Sequence, residues 1–140
     1  MTEKYITNIQ ERVVDLLHSI SSDLGAASKE RCSEVARLVG CWILDDHPDF
    51  EISILRGEFE NGLAHDVLTV KQSDSFTIVD PTVWQFFPKD DTIVLGTFST
   101  MPEAELFLSR RYGGIWHVSE KMKTCTTEYS AELLEIIVKS

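Results

Sequence analysis

The hydrophobic pattern changes its period at Asp45-Asp46-His47-Pro48, and this change restricts the folds open to the chain. Before this segment, apolar residues recur at the three- and four-residue spacing of amphipathic helices. The position before Pro48 is pushed away from helical angles, which ends the preceding helix. Beyond it, apolar residues follow the two-residue spacing of strands. Helices followed by strands and then further helices indicate an α+β fold.

Two helices are predicted before the change of period. The first covers about residues 4 to 20, where apolar residues share one helical face. The segment SSDLGAAS interrupts this pattern, and Ser28 is expected to cap a second helix that reaches about Leu44. Cys32 therefore lies on the inward face of that helix, in or just after its first turn.

Strands dominate the chain after the change of period. The β-rich segments are EISILRGEFE, LAHDVLTVKQ, DSFTIVD and DTIVLGTFS, with IWHVSEK as a further short candidate. MPEAELFLSRRYGG predicts a short helix ended by Gly113-Gly114, and TEYSAELLEIIVKS predicts a C-terminal helix. We expect a single domain over residues 1–140, with helices around a central antiparallel sheet of about four strands.

Charge and composition exclude several classes of partner. The net charge is −10, from 13 basic and 23 acidic residues, which argues against nucleic acid because phosphate binding needs clustered Lys and Arg. No apolar stretch approaches the ~18 residues of a membrane helix, so no membrane partner is expected. The polar N-terminus, MTEKYITNIQERVV, lacks the apolar core of a secretory signal peptide.

The three cysteines are an odd number without metal-type spacing, which predicts reduced thiols in the cytoplasm. Export as an effector by a route without a cleaved signal would leave the same pattern. Cys41 is expected to pack beside Trp42, on the opposite side of its helix from Cys32, and Cys125 to be an ordinary thiol in a polar loop.

Three residues with complementary chemistry follow one another along the chain. Cys32 lies near a helix start, His65 opens HDVLTV, and Asp80 closes SFTIVD. A thiol, an imidazole base and a carboxylate that orients the base are the minimum for thiolate attack on an acyl or amide carbon. A helix start also favours the thiolate through the helix dipole, and a backbone N–H there can stabilise an oxyanion.

The hairpin between the second and third strands predicts how the base and the carboxylate meet. A two-residue turn at Gln72-Ser73 sets Val67 opposite Ile78 and His65 opposite Asp80. Residues directly opposed in an antiparallel pair point to one side of the sheet, with Cβ atoms about 4.5–5.5 Å apart. That separation suits a carboxylate that holds an imidazole in one tautomer.

This arrangement resembles the papain-like and transglutaminase-like cysteine enzyme superfamily. The shared pattern is a helix-borne Cys, a His at a strand start and an Asp that ends the next strand, followed here by IVDPTVWQF; it covers about residues 28 to 87. The resemblance implies a papain-like or transglutaminase-like core, with Cys32 as nucleophile, His65 as general base and Asp80 as orienter. Members include peptidases, protein deamidases, transglutaminases and acyltransferases, several of them small bacterial effectors.

The chain also departs from that superfamily. Papain-like peptidases place a Gln shortly before the Cys, whereas the corresponding segment here, GAASKER, has none. Gln85, after the aspartate, is the nearby candidate for an oxyanion-binding amide. Transglutaminase-like members often carry an aromatic residue after the Cys and a Trp two after the His, where this chain has Ser33 and Val67.

Each of the three residues also has a purely structural interpretation. Cys32 could be a small core residue and His65 a buried structural histidine, while Asp80 in Asp-Pro-Thr is a good turn opener. His47 and His117 are rival bases. A zinc site formed by the same three residues would need a further ligand or water, and no CxxC or HExxH motif is present, so no cofactor or metal is expected.

The sequence therefore predicts a thiol-dependent hydrolase that acts on a carboxamide or peptide bond of a protein or peptide substrate. A glutamine deamidase is preferred over a cysteine peptidase because the chain is too small for an extended peptide cleft. The alternative from another class is a non-enzymatic acidic interaction protein, of adaptor or immunity type, that binds a basic partner.

Overall fold

The computed structural model describes residues 1–139 and combines five α-helices with one sheet. The helices are α1 (Glu3–His18), α2 (Leu24–Ser28), α3 (Cys32–Asp46), α4 (Met101–Tyr112) and α5 (Thr127–Lys139). The strands are β1 (Glu51–Glu58), β2 (Ala64–Gln72), β3 (Ser75–Val79), β4 (Val94–Phe98) and β5 (Ile115–Met122), and a 3₁₀ turn covers Val83–Gln85. The predicted α+β class with an antiparallel sheet is confirmed.

The sheet has the strand order β4-β3-β2-β1-β5, with every neighbouring pair antiparallel. Its fifth strand, β5, is the IWHVSEK segment, which pairs with β1. Helices α1, α3 and α5 contribute to the core on one face, and α4 packs on the other. Burial on both faces makes β1 and β2 almost continuously buried, so their sequences alternate less than those of a one-sided sheet.

The start of α3 differs from the prediction. Ser28 does not cap this helix, because it is the last residue of α2, whose N-cap is Asp23. The Asp23 carboxylate accepts the backbone N–H groups of Gly25 and Ala26, so the break in the hydrophobic pattern contains a helical turn of its own. Helix α3 begins at Cys32, which is therefore its first residue.

The register of the β2–β3 hairpin was predicted wrongly by two residues. The turn lies at Ser73-Asp74, Gln72 pairs with Ser75 and Thr69 with Ile78. Ser73 has a φ of 55°, the positive value that short hairpin turns demand. Because side chains alternate along a strand, a two-residue shift leaves each on its predicted face. Asp80 thus follows the end of β3 rather than standing opposite His65.

A disulfide joins Cys41 of α3 to Cys125, with Cα atoms 5.3 Å apart. The expectation of three reduced thiols is therefore wrong for two of them. Helix α5 packs on α3, which brings the segment before α5 against Cys41. The two cysteines are 84 residues apart in sequence, so local sequence patterns do not predict that they pair. Cys32 is left as the free thiol.

Within residues 1–139, no helix has the length and apolar character needed to cross a membrane.

The disulfide predicts a loss of stability on substitution. Cys125→Ser is expected to lower the free energy of unfolding by about 2–4 kcal/mol, because the cross-link restricts a long loop of the unfolded chain. Urea denaturation measures the change, and Cys32→Ser, which removes a thiol outside the cross-link, is the matched control. Titration of three free thiols in unreduced, denatured protein would contradict the disulfide.

Candidate active site

The end of β3 leaves one edge of β2 open where His65 lies. Strand β3 pairs with β2 only from Leu68 to Gln72, so the first residues of β2, including His65, have no neighbour from β3. Asp80 follows β3 directly, and its backbone N–H donates to the Ile93 carbonyl at 2.7 Å. This bond anchors the aspartate beside the open edge.

Asp80 uses its two carboxylate oxygens for different purposes. Oδ2 accepts from His65 Nε2 at 2.8 Å and from the Tyr112 hydroxyl. Oδ1 accepts the backbone N–H of Thr82 at 3.1 Å, which is the turn-opening bond expected of Asp-Pro-Thr. Asp80 therefore makes both the bond of a turn opener and a contact with the imidazole.

His65 is fully buried within a cage of aromatic rings. The ring centroids of Phe86, Tyr112 and Trp116 lie 4.7, 5.3 and 6.2 Å from that of the imidazole. Gly57, the cross-strand partner of His65, leaves room for this cage, because a Cβ there would lie 2.3 Å from the Trp116 ring. The cage limits the orientations open to the imidazole.

The second imidazole nitrogen, Nδ1, is not used by Asp80. Within residues 1–139, the buried Nδ1 has no partner in full hydrogen-bond geometry. Cys32 nonetheless interacts with the imidazole through charge and hydrogen bonding, and Asp80 already occupies Nε2. Nδ1 is therefore the imidazole nitrogen that remains for an interaction with the thiol.

The surroundings of His65 favour its charged form. Burial by itself lowers the pKa of His65, but the charge and hydrogen bond of Asp80, joined by those of Cys32, outweigh it and raise this pKa to about 10. The imidazole is accordingly protonated at neutral pH. An imidazolium beside a thiol stabilises the thiolate.

Cys32 occupies the position expected of a nucleophile. It is the first residue of α3 and is partly exposed, so solvent can reach it. Arg31, the N-cap residue, makes no side-chain cap, and the first-turn N–H groups thus lack that partner. These groups provide donors and a positive dipole end next to the sulfur.

A charge cluster around the buried carboxylate of Asp66 is connected to the start of α3. Asp66 is 1% exposed and binds Arg37 at 3.0 Å and Arg56 at 2.8 Å. Arg37 also donates to the Ser33 hydroxyl and carbonyl at 2.7 and 3.1 Å, which ties the cluster to the residue after Cys32. Asp66 thus points away from His65, as its place on the opposite face of β2 predicts, and braces α3 instead.

Sequence reasoning missed Tyr112 and both arginines of this cluster. Tyr112 ends α4, 32 residues after Asp80, and no spacing rule connects the two. Burial and the charge of Asp80 raise the pKa of Tyr112, so the hydroxyl stays a donor to the carboxylate. Only the packing of α4 on the sheet reveals this partner.

Among the residues that the structure describes, the other candidates, Gln85, His47 and His117, make no hydrogen bond or ring contact with the His65–Asp80 pair. Gln85 ends the 3₁₀ turn, which packs against α2, and its buried Oε1 has no donor within residues 1–139. His47 lies at the C-terminal end of α3, where its ring stacks on that of Phe50 with centroids 4.4 Å apart. His117 is exposed on β5. In the described part of the chain neither histidine forms an ion pair with a carboxylate, and no three His, Cys, Asp or Glu side chains form a metal-binding group.

Comparison of the chain with protein-family models, with curated proteins and with solved structures finds no match.

The raised pKa of His65 predicts how stability depends on pH. A group whose pKa is higher when folded stabilises the fold below its unfolded value of 6.5, and this contribution is lost as pH rises through the folded value of about 10. The difference in unfolding free energy between wild type and His65→Gln should shrink across this interval. Urea denaturation at a series of pH values measures it, and a difference that grows with pH would contradict the assignment.

Proposed function

We propose that this protein is a thiol-dependent hydrolase that acts on a carboxamide or peptide carbonyl through Cys32, His65 and Asp80. The observation that carries the proposal is that the His65 imidazole has two different partners, a carboxylate and a thiol. Nε2 is bound to a buried carboxylate, while the free cysteine at the start of α3 interacts with the same ring. A purely structural histidine needs no partly exposed thiol beside it.

The first half of the reaction would form an acyl-enzyme. The proton of Cys32 resides on His65, and the thiolate attacks the carbonyl carbon to give a tetrahedral intermediate. Collapse of this intermediate breaks the carbon–nitrogen bond while His65 gives its proton to the leaving ammonia or amine. Asp80 and Tyr112 keep the imidazole oriented throughout.

The second half would release the product. His65, now neutral, takes a proton from water as the oxygen attacks the thioester carbon. The carbon–sulfur bond then breaks, a carboxylic acid leaves, and the thiolate–imidazolium pair is restored. The net reaction consumes one water and releases ammonia from a carboxamide or an amine from a peptide.

The negative oxygen of each tetrahedral intermediate needs hydrogen-bond donors. The first-turn N–H groups of α3 are candidates, because they lie beside Cys32 at the helix start. Gln85 is a second candidate, since the 3₁₀ turn that bears it packs against α2 just before α3. Such donors commonly supply a large part of the rate enhancement in acyl transfer.

Deamidation of a protein glutamine is the version of this proposal that we prefer. A carboxamide on a side chain requires a smaller binding site than an extended peptide. The resemblance to papain-like and transglutaminase-like enzymes is compatible with either outcome. The Cys41–Cys125 disulfide favours an exported protein over a cytoplasmic one, because disulfides persist outside the reducing cytosol.

Substitution of the three residues tests the mechanism. Cys32→Ala and His65→Ala are each expected to lower kcat at least ~1,000-fold, because nucleophile and base act as a unit. Asp80→Ala should cost less, about 10- to 100-fold, since it removes the group that orients and charges the base but leaves nucleophile and base in place. Ammonia release from glutamine-containing peptides measures the effect, with circular dichroism to verify folding. Full activity in Cys32→Ala would end the proposal.

Alkylation distinguishes the hydrolase from a non-enzymatic acidic binding module. Iodoacetamide at neutral pH should modify Cys32 faster than it modifies free glutathione, because the imidazolium favours the reactive thiolate. The same reaction in the matched variant His65→Gln should be slower. Equal rates for wild type, variant and glutathione would favour the binding module, whose cysteine needs no activation.

A further inference from the structure

Exposed apolar side chains cluster at the end of the sheet that carries His65. Leu63 is 65% exposed, Phe86 39% and Ile115 76%. Leu63 lies in the β1–β2 turn, where its carbonyl accepts the Phe59 N–H at 3.0 Å, and Ile115 pairs with Glu58 at the end of β1. Apolar side chains exposed together, rather than singly, mark interaction sites.

A cleft opens between the β1–β2 turn and the α4–β5 connection. Residues 58–61 and 112–115 line it, and we call it the sheet-end cleft. Glu58 and Glu60 are its charged side chains, and no Lys or Arg lines it. Gly114 shapes its wall, because a Cβ there would lie 2.7 Å from both the Glu58 carbonyl and the Phe59 ring. The cleft is therefore acidic, with an apolar rim.

Aromatic contacts connect the sheet-end cleft to the candidate active site. The ring centroid of Phe59, in the cleft, lies 6.1 Å from that of Phe86, and the Phe86 centroid lies 4.7 Å from that of the His65 imidazole. Tyr112 lines the cleft and also donates its hydroxyl to Asp80. A substrate in the cleft would thus rest on the same rings that enclose the catalytic imidazole.

We propose that the sheet-end cleft binds the residues that flank the target carboxamide, and that the protein selects substrates with one apolar and one basic flanking side chain. The apolar side chain would cover Phe59, Phe86 and Ile115, and the basic one would pair with Glu60. The negative charge of the cleft supports this occupant over an acidic one. The aromatic contacts with the His65 cage support a substrate segment as the occupant. The inference rests on the proposed hydrolase function, whose substrate class it specifies.

A binding experiment tests the cleft without any chemistry. ¹⁵N-labelled Cys32→Ala protein would be titrated by NMR with the peptides Gly-Leu-Gln-Lys-Gly and Gly-Lys-Gln-Leu-Gly, and with matched peptides that carry Glu for Lys or Ser for Leu. We expect a Leu/Lys peptide to shift the amides of Glu60, Leu63 and Ile115. Its dissociation constant should be about threefold lower than that of the Leu/Glu peptide, as for an exposed charge pair.

Charge reversal supplies the matched comparison. Glu60→Lys should invert the preference between Lys and Glu, whereas Glu11→Lys, an equal change of charge on α1, should leave it unchanged. Shifts confined to another surface, the absence of shifts, or a preference unaffected by Glu60→Lys would each overturn the cleft proposal. An inert Cys32 in the alkylation assay would contradict the hydrolase alone, because the titration needs no reactive thiol.

Discussion

The pairing of His65 with Asp80 in the protein interior is the interaction on which the rest of the site depends. Both side chains are fully buried, and burial of a charged pair is costly unless further hydrogen bonds complete it. Tyr112 and Thr82 supply those bonds to the carboxylate, and Cys32 interacts with the imidazole on its other side. The location of the pair therefore decides where α4, the turn after β3 and the start of α3 must converge.

Two neighbouring residues of β2 serve opposite faces of the sheet. His65 points toward the aromatic cage beneath α4, whereas Asp66 points toward α3 and holds Arg37 and Arg56. Since Arg37 also binds Ser33, the cluster around Asp66 fixes the helix turn that carries Cys32. One short segment of a single strand thus carries His65 on one face and braces the start of α3 on the other, while the Cys41–Cys125 disulfide holds α3 to the segment before α5.

Particular residues explain why some predictions succeeded and others did not. The face of Asp80 was predictable because side chains alternate along a strand, and a register error of two residues leaves that alternation intact. The start of α3 could not be predicted, because Asp23 and Ser28 are both good capping residues. Only the packing of α2 on the 3₁₀ turn shows that two helices lie there. The Cys41–Cys125 pairing depends on how α5 lies against α3, which local patterns do not specify.

The sequence by itself determined the α+β class, the antiparallel sheet, and a thiol, an imidazole and a carboxylate placed near element ends. These properties depend on local periodicity and residue chemistry, which act over a few positions of the chain. The meeting of His65 with Asp80 was also predicted, although in a register two residues from the observed one. Tertiary structure decided the role of Tyr112, the arginines around Asp66, the disulfide and the sheet-end cleft. Each of these joins residues distant in sequence, and such contacts arise only when helices and strands pack together.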